Sequence, residues 1–165
     1  KLALDFDTNA KVNPPLRTPK DVEAVIAGIQ DGTLDAIATD HAPHHLDEKR
    51  VEFDKAANGI SGLETALSLA YTKLVLPGLL NLDTLVQRMA IAPAQLLGIS
   101  GGTLSPGTPG DVVLFDPQAT WTVDPQAFAS KGKNTPFAGW ELQGKVTHTF
   151  VNGEAVVVDG ALVDA

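Results

Sequence analysis

A short apolar run that breaks into a carboxylate and several imidazoles constrains this chain most. Residues 35–38, Asp-Ala-Ile-Ala, read as a short buried strand. Thr39, Asp40, His41, Pro43, His44 and His45 follow at once. Such an ending suits the C-terminal mouth of an α/β barrel. There the strand fixes a catalytic group and the next loop opens to substrate. Asp40 offers a hard oxygen ligand or a proton acceptor, and the histidines offer nitrogen ligands or donors near neutral pH. A helix N-cap followed by solvated histidines fits the same residues, and the D-H-x-x-H spacing alone does not separate the two readings.

The flanking pattern is strand, helix, strand. Val12 ends an extended run, because Asn13-Pro14-Pro15 cannot continue a sheet ladder. The prolines either aim Asn13 and Arg17 rigidly or only stiffen a loop. Thr18 suits an N-cap with Pro19 at the first helical position. Val22, Val25, Ile26 and Ile29 then form an amphipathic helical stripe that Asp31-Gly32 stops. Short links on both sides make this a βαβ pattern. Ahead of it, Leu2, Leu4 and Phe6 alternate with polar or small residues, as a strand fragment or a loop tail would.

Residues 45–58 read as a charged loop carrying Glu48, Lys49, Arg50, Glu52, Asp54 and Lys55, of a length that is usually functional. Asn58-Gly-Ile-Ser-Gly62 reads as a tight turn in which Gly59 and Gly62 admit positive φ or close approach of a ligand. Helices over residues 63–76, over 82–90 and from Pro93 to a Gly98 cap carry apolar stripes without a titratable cluster, and are assigned to packing.

The character changes near Ser100. Turn-rich glycines and prolines precede a strand over 111–116. A second extended run holds Trp121 and Val123, and alternation resumes over 145–151. Asn152-Gly153 is a strong hairpin signal, with a return strand over 154–158 and another turn at Asp159-Gly160. The expected division is residues 1–98, βα units and helices, and residues 99–165, a β-rich tail.

A net charge of −8 and a pI near 4.8 argue against a nucleic-acid surface. No apolar run is long enough for a bilayer, and the N-terminus shows no secretory leader. The expectation is therefore a soluble, cytoplasmic protein. With no cysteine, disulfides and thiolate metal sites are excluded, so a metal would need Asp, Glu or His.

Taken together and in order, several motifs resemble dihydroorotase of the bacterial class I type, a cyclic amidohydrolase. They are Asn13-Pro-Pro-Leu-Arg17, Thr39-Asp-His-Ala-Pro-His44, Gly59-Ile-Ser-Gly-Leu-Glu-Thr65, Asn134-Thr-Pro-Phe137 and Gly144-Lys-Val146. Gly102-Thr-Leu-Ser-Pro-Gly107 with Asp111-Val-Val-Leu-Phe-Asp116 is shared more widely among amidohydrolases. The resemblance covers nearly the whole chain. It implies an α/β fold, the C-terminal portion of a (β/α)8 TIM-type barrel followed by part of a small β-rich domain. It implies a zinc-dependent enzyme of pyrimidine biosynthesis that interconverts (S)-dihydroorotate and N-carbamoyl-L-aspartate. Asp40 would be the catalytic carboxylate and a metal ligand, and His44 would bind the substrate carboxylate. Asn13 and the backbone at Gly59 would hold the ring. One or two Zn2+ ions would take their remaining ligands from outside this chain. The implied partners are the small-molecule substrate, the N-terminal half of the barrel, and a second copy or aspartate transcarbamoylase. The residues given would be inactive alone and would fold poorly, because a half-barrel exposes apolar surface. A non-catalytic homologue that scaffolds aspartate transcarbamoylase, or a related allantoinase or hydantoinase, is the alternative.

Overall fold

The computed structural model describes residues 5–163, so the alternation at Leu2 and Leu4 lies outside the described residues. Helices precede strands. A 3-10 turn at Thr8–Ala10 leads to α1 (Pro19–Asp31), α2 (Leu46–Lys49), α3 (Ala66–Ala70), α4 (Leu82–Val86) and α5 (Ala92–Leu97). Then come β1 (Val112–Thr122), β2 (Glu141–Val151), β3 (Glu154–Val158) and β4 (Ala161–Leu162). The residues fall into two compact units. One holds the chain up to Ala24, Ala38–Leu67 and Thr122–Glu141, and the other holds Val25–Ile37, Ser68–Trp121 and the chain from Leu142.

The first unit has an unusually polar interior. Lys49, Ser61, Thr65, Asn134 and Thr135 are buried there beside Ala10, Ala56, Val123 and Phe128. Buried polar groups persist only when hydrogen-bonded, so local structure in this unit follows from where those bonds go. Thr18 caps α1 as its sequence predicts: its hydroxyl oxygen accepts the Asp21 amide at 3.4 Å, and its own amide donates to Asp21 Oδ2 at 3.0 Å. The stretch expected to be only a charged loop contains α2. His45 is its N-cap, and Glu48 closes a reciprocal capping box.

The second unit is apolar inside. Leu85 and Leu142 are fully buried, and Ile29, Tyr71, Leu80, Ala92 and Ala94 join them. Each large aliphatic side chain removed from water contributes roughly 1.5–3 kcal/mol. α3 and α4 start later or end sooner than their stripes predict, because each passes into a π turn, at Tyr71–Val75 and Gln87–Ile91. Gly98, at φ 64°, ends α5. The four strands run in the order β1-β2-β3-β4. β1 continues through Pro117 and absorbs Trp121, which the sequence pattern assigns to a separate run. A proline is tolerated because β1 is an edge strand. Asn152 and Gly153 have φ of 52° and 83°, the type I′ geometry expected of this dipeptide. Asp159 and Gly160, at 50° and 78°, repeat it before β4.

Two expectations fail. Residues 35–38 form no strand, and Asp35, Ala36 and Ala38 are exposed. A buried parallel strand takes its ladder from strands on both sides; instead, the Ile37 amide donates to the Arg88 carbonyl at 2.9 Å. Val12 likewise lies in irregular backbone after the 3-10 turn. Outside the four-stranded sheet, the described residues hold one isolated parallel bridge, His41 to Ile60.

Candidate active site

The first unit ties together three stretches, residues 40–45, 58–64 and 129–134, through bonds of His41, His44, Glu64 and Asn134. Asp40 is exposed and sits at φ 43°. Few residues other than glycine adopt this left-handed conformation, aspartate among the more tolerant. It turns the chain abruptly into the histidine segment. One residue on, the His41–Ile60 bridge fastens that segment, with the Ala42 amide donating to the Ile60 carbonyl at 3.0 Å. His41 Nδ1 accepts the amides of Gly62 and Leu63 at 3.1 and 3.3 Å. This leaves the ring proton on Nε2.

His44 is held on both ring nitrogens. Nε2 lies 2.9 Å from the Asn58 carbonyl, and Nδ1 lies 3.3 Å from Glu48 Oε2. The same Glu48 oxygen accepts the His45 amide at 3.0 Å. Those bonds, first the His45 amide and then the His44 ring, hold the Glu48 carboxyl below its ordinary pKa.

Gly59 is buried at φ 143°, and a Cβ there would meet Ala42 Cβ at 2.6 Å and His44 Nε2 at 3.0 Å. Only glycine therefore lets this stretch lie against His44. Its amide donates to the Lys11 carbonyl at 2.9 Å, two residues before Asn13. Its carbonyl accepts from Lys49 Nζ and Asn134 Nδ2, both at 3.1 Å. Asn13 is exposed and precedes a cis peptide bond to Pro14.

The structure thus joins His44 and Gly59 directly and brings the backbone just before Asn13 onto Gly59. Asp40 enters through its neighbour His41. The sequence reading missed several residues that hold these stretches. Lys49 is 2% exposed, and its ammonium also donates to the Ala57 carbonyl at 2.7 Å. Burial pushes its pKa down; Asp7 opposes this and Lys11 adds to it. Glu64 accepts the amides of Ala129 and Ser130 at 2.9 and 3.0 Å. The hydroxyl of Ser61 lies 2.9 Å from the Gly132 carbonyl. Lys49 stands in a run of charges with nothing local to mark it as buried. Ser61 and Glu64 did lie inside a resembling motif, which was the available signal.

Among the described residues, no three His, Cys, Asp or Glu side chains converge as a metal centre would require. Asp40 alone does not make one, so a zinc set is not furnished by these residues.

The chain belongs to the amidohydrolase family, whose family profile matches residues 8–156. It is 58% identical over 151 residues to a dihydroorotase of Geobacter metallireducens, covering 92% of this chain and 35% of that protein. Against a dihydroorotase of Acetivibrio thermocellus it is 56% identical, covering 96% and 37%. Its fold is similar to that of an L-hydantoinase (dihydropyrimidinase) from Arthrobacter aurescens, with a TM-score of 0.92 and 32% identity over 99% of this chain and 37% of that one. The chain spans little more than a third of the length of these relatives.

Proposed function

We propose that this chain is the C-terminal part of a dihydroorotase, an enzyme that interconverts (S)-dihydroorotate and N-carbamoyl-L-aspartate in pyrimidine biosynthesis. The observation that carries the reading is identity of 58% to a dihydroorotase over 92% of the chain. The hydantoinase-like structures are more distant, at 32% identity or less. The proposal extends to a (β/α)8 barrel contributed in part by residues 1–98, a β-rich tail over residues 99–165, and a cytoplasmic location. No helix among the described residues is long and apolar enough to cross a membrane. Zn2+ belongs to the proposal at the level of the whole protein: Asp40 would be one ligand, and the others would come from beyond the described residues. The N-terminal half of the barrel, and a second copy or aspartate transcarbamoylase, remain proposed partners.

Amide hydrolysis needs a nucleophilic oxygen and an acid for the leaving nitrogen. Water adds to the ring carbonyl carbon, the carbon–nitrogen bond breaks, and the nitrogen takes a proton. Asp40, exposed on its left-handed turn, is assigned both proton transfers: it accepts from the attacking water and returns the proton to nitrogen. His44 faces the substrate carboxylate with a ring nitrogen now held by Asn58 or Glu48. Asn13 binds the ring. The polar groups of Gly59 are taken, so its part is steric, a flat wall beside His44.

Dihydroorotate turnover by the full-length protein tests this. Asp40→Ala should lower kcat by at least about 100-fold without loss of folded protein by circular dichroism. Near-normal turnover in that variant would refute the assignment, and a preference for a hydantoin or allantoin would change the substrate.

A further inference from the structure

Asn134 is 5% exposed, and its side-chain amide uses its full hydrogen-bonding capacity. Oδ1 accepts the His44 amide at 2.9 Å and lies 3.0 Å from the Ser61 hydroxyl, whose hydrogen is shared with the Gly132 carbonyl. Nδ2 donates to the Ala42 carbonyl at 3.0 Å and the Gly59 carbonyl at 3.1 Å. The main-chain carbonyl of Asn134 accepts the Ser61 amide at 2.8 Å. One buried side chain thus ties the histidine segment to the glycine stretch.

The pattern needs an amide. Aspartate would set a carboxylate oxygen against two carbonyls, and an apolar residue would leave both carbonyls and the His44 amide without this partner. Flipping the amide would aim its donors at the His44 amide, also a donor, which fixes the orientation.

We propose that Asn134 is a positioning residue for substrate recognition. It sets the spacing between His44 and Gly59, and so the affinity for the substrate carboxylate, while touching neither substrate nor Asp40. This rests on the dihydroorotase reading.

The test compares the full-length protein with its Asn134→Asp variant by turnover and with its Asn134→Leu variant by hydrogen exchange. KM for dihydroorotate should rise about 10- to 100-fold, the effect of losing buried hydrogen bonds, with kcat within about threefold. Amide hydrogen exchange at His44 should lose its protection in Asn134→Leu, which removes the Oδ1 acceptor that aspartate keeps. An unchanged KM, or a fall in kcat at constant KM, would overturn the proposal. If the wild-type protein does not turn over dihydroorotate, the proposed function fails. Exchange at His44 in Asn134→Leu then decides alone, and protection retained there overturns the clamp. If Asn134→Asp does not fold, Ser61→Ala removes only the shared hydroxyl. It should raise KM about threefold or more, and a wild-type KM would again overturn the proposal.

Discussion

Lys49 shows how one residue can carry a local structure that its own sequence neighbourhood does not announce. Its ammonium holds the Ala57 and Gly59 carbonyls from inside the unit. Lys49→Met keeps much of the apolar stem but leaves both carbonyls without this donor. The Gly59 carbonyl keeps Asn134 Nδ2; the one carbonyl left unsatisfied, that of Ala57, costs about 1–3 kcal/mol, so the urea midpoint of the full-length protein should fall by the equivalent of about 2 kcal/mol. An unchanged midpoint would mean that water reaches that carbonyl freely. Glu48 makes a pH prediction. Its pKa is lowered in the folded protein from an ordinary 4.5, chiefly by the His45 amide and the His44 ring. A carboxyl with a depressed folded pKa contributes stability that is present above the unfolded value and lost as pH falls through the folded one. The difference in melting temperature between the wild type and Glu48→Gln should therefore be constant near neutrality and shrink below about pH 4.5. A difference that persists unchanged into stronger acid would show that Glu48 acts by packing rather than by charge.

The β elements separate two costs of replacing glycine. Gly153 has φ 83° in its I′ turn and open space where a Cβ would stand. Alanine there carries only the backbone penalty, roughly 1 kcal/mol. Gly144, in β2, has φ 86°, and a Cβ would run into the Phe115 and Tyr71 rings. These rings pack edge to face with centroids 5.2 Å apart, and Trp121 Nε1 donates to the Gly144 carbonyl at 3.2 Å. Crowding a packed contact adds about 1–3 kcal/mol. Gly144→Ala should lower the melting temperature clearly more than Gly153→Ala; equal losses would show that the rings move aside at no cost. α1 illustrates the opposite case, where a correct pattern lacks a partner. Ile29 is buried, but Val22 and Val25 on the same stripe are about half exposed, at 51% and 50%.

Apolar exposure recurs over the molecule. Leu16, Leu63, Leu96, Leu97, Ile99 and Leu104 are each about half exposed or more, from 49% for Leu16 to 79% for Leu104. Single exposed leucines are ordinary, but neighbouring ones mark surface that associates. Produced by itself, the 165-residue chain should bind a hydrophobic dye and sediment as more than a monomer. A monomer without dye binding would contradict this. At this scale the activity proposed for Asp40 is to be tested on the full-length protein, since among the described residues no three His, Cys, Asp or Glu side chains converge.

Local signals were legible wherever a few neighbouring residues decide the outcome. The Thr18 cap, the Gly98 stop, the Asn152-Gly153 hairpin and the return strand at Glu154–Val158 all stand where the sequence placed them. Their geometry depends on backbone preferences and bonds within one turn. The motifs also identified the family, and they named His44 and Gly59, which the structure sets in contact. Tertiary structure alone decided the rest. Whether residues 35–38 become a strand depends on neighbours that the segment does not contain. The burial of Lys49 and the four-way bonding of Asn134 depend on carbonyls and amides brought from as far as 92 positions away in the chain. A buried polar side chain is chosen by the partners that satisfy it, and those partners exist only once the chain has folded around it.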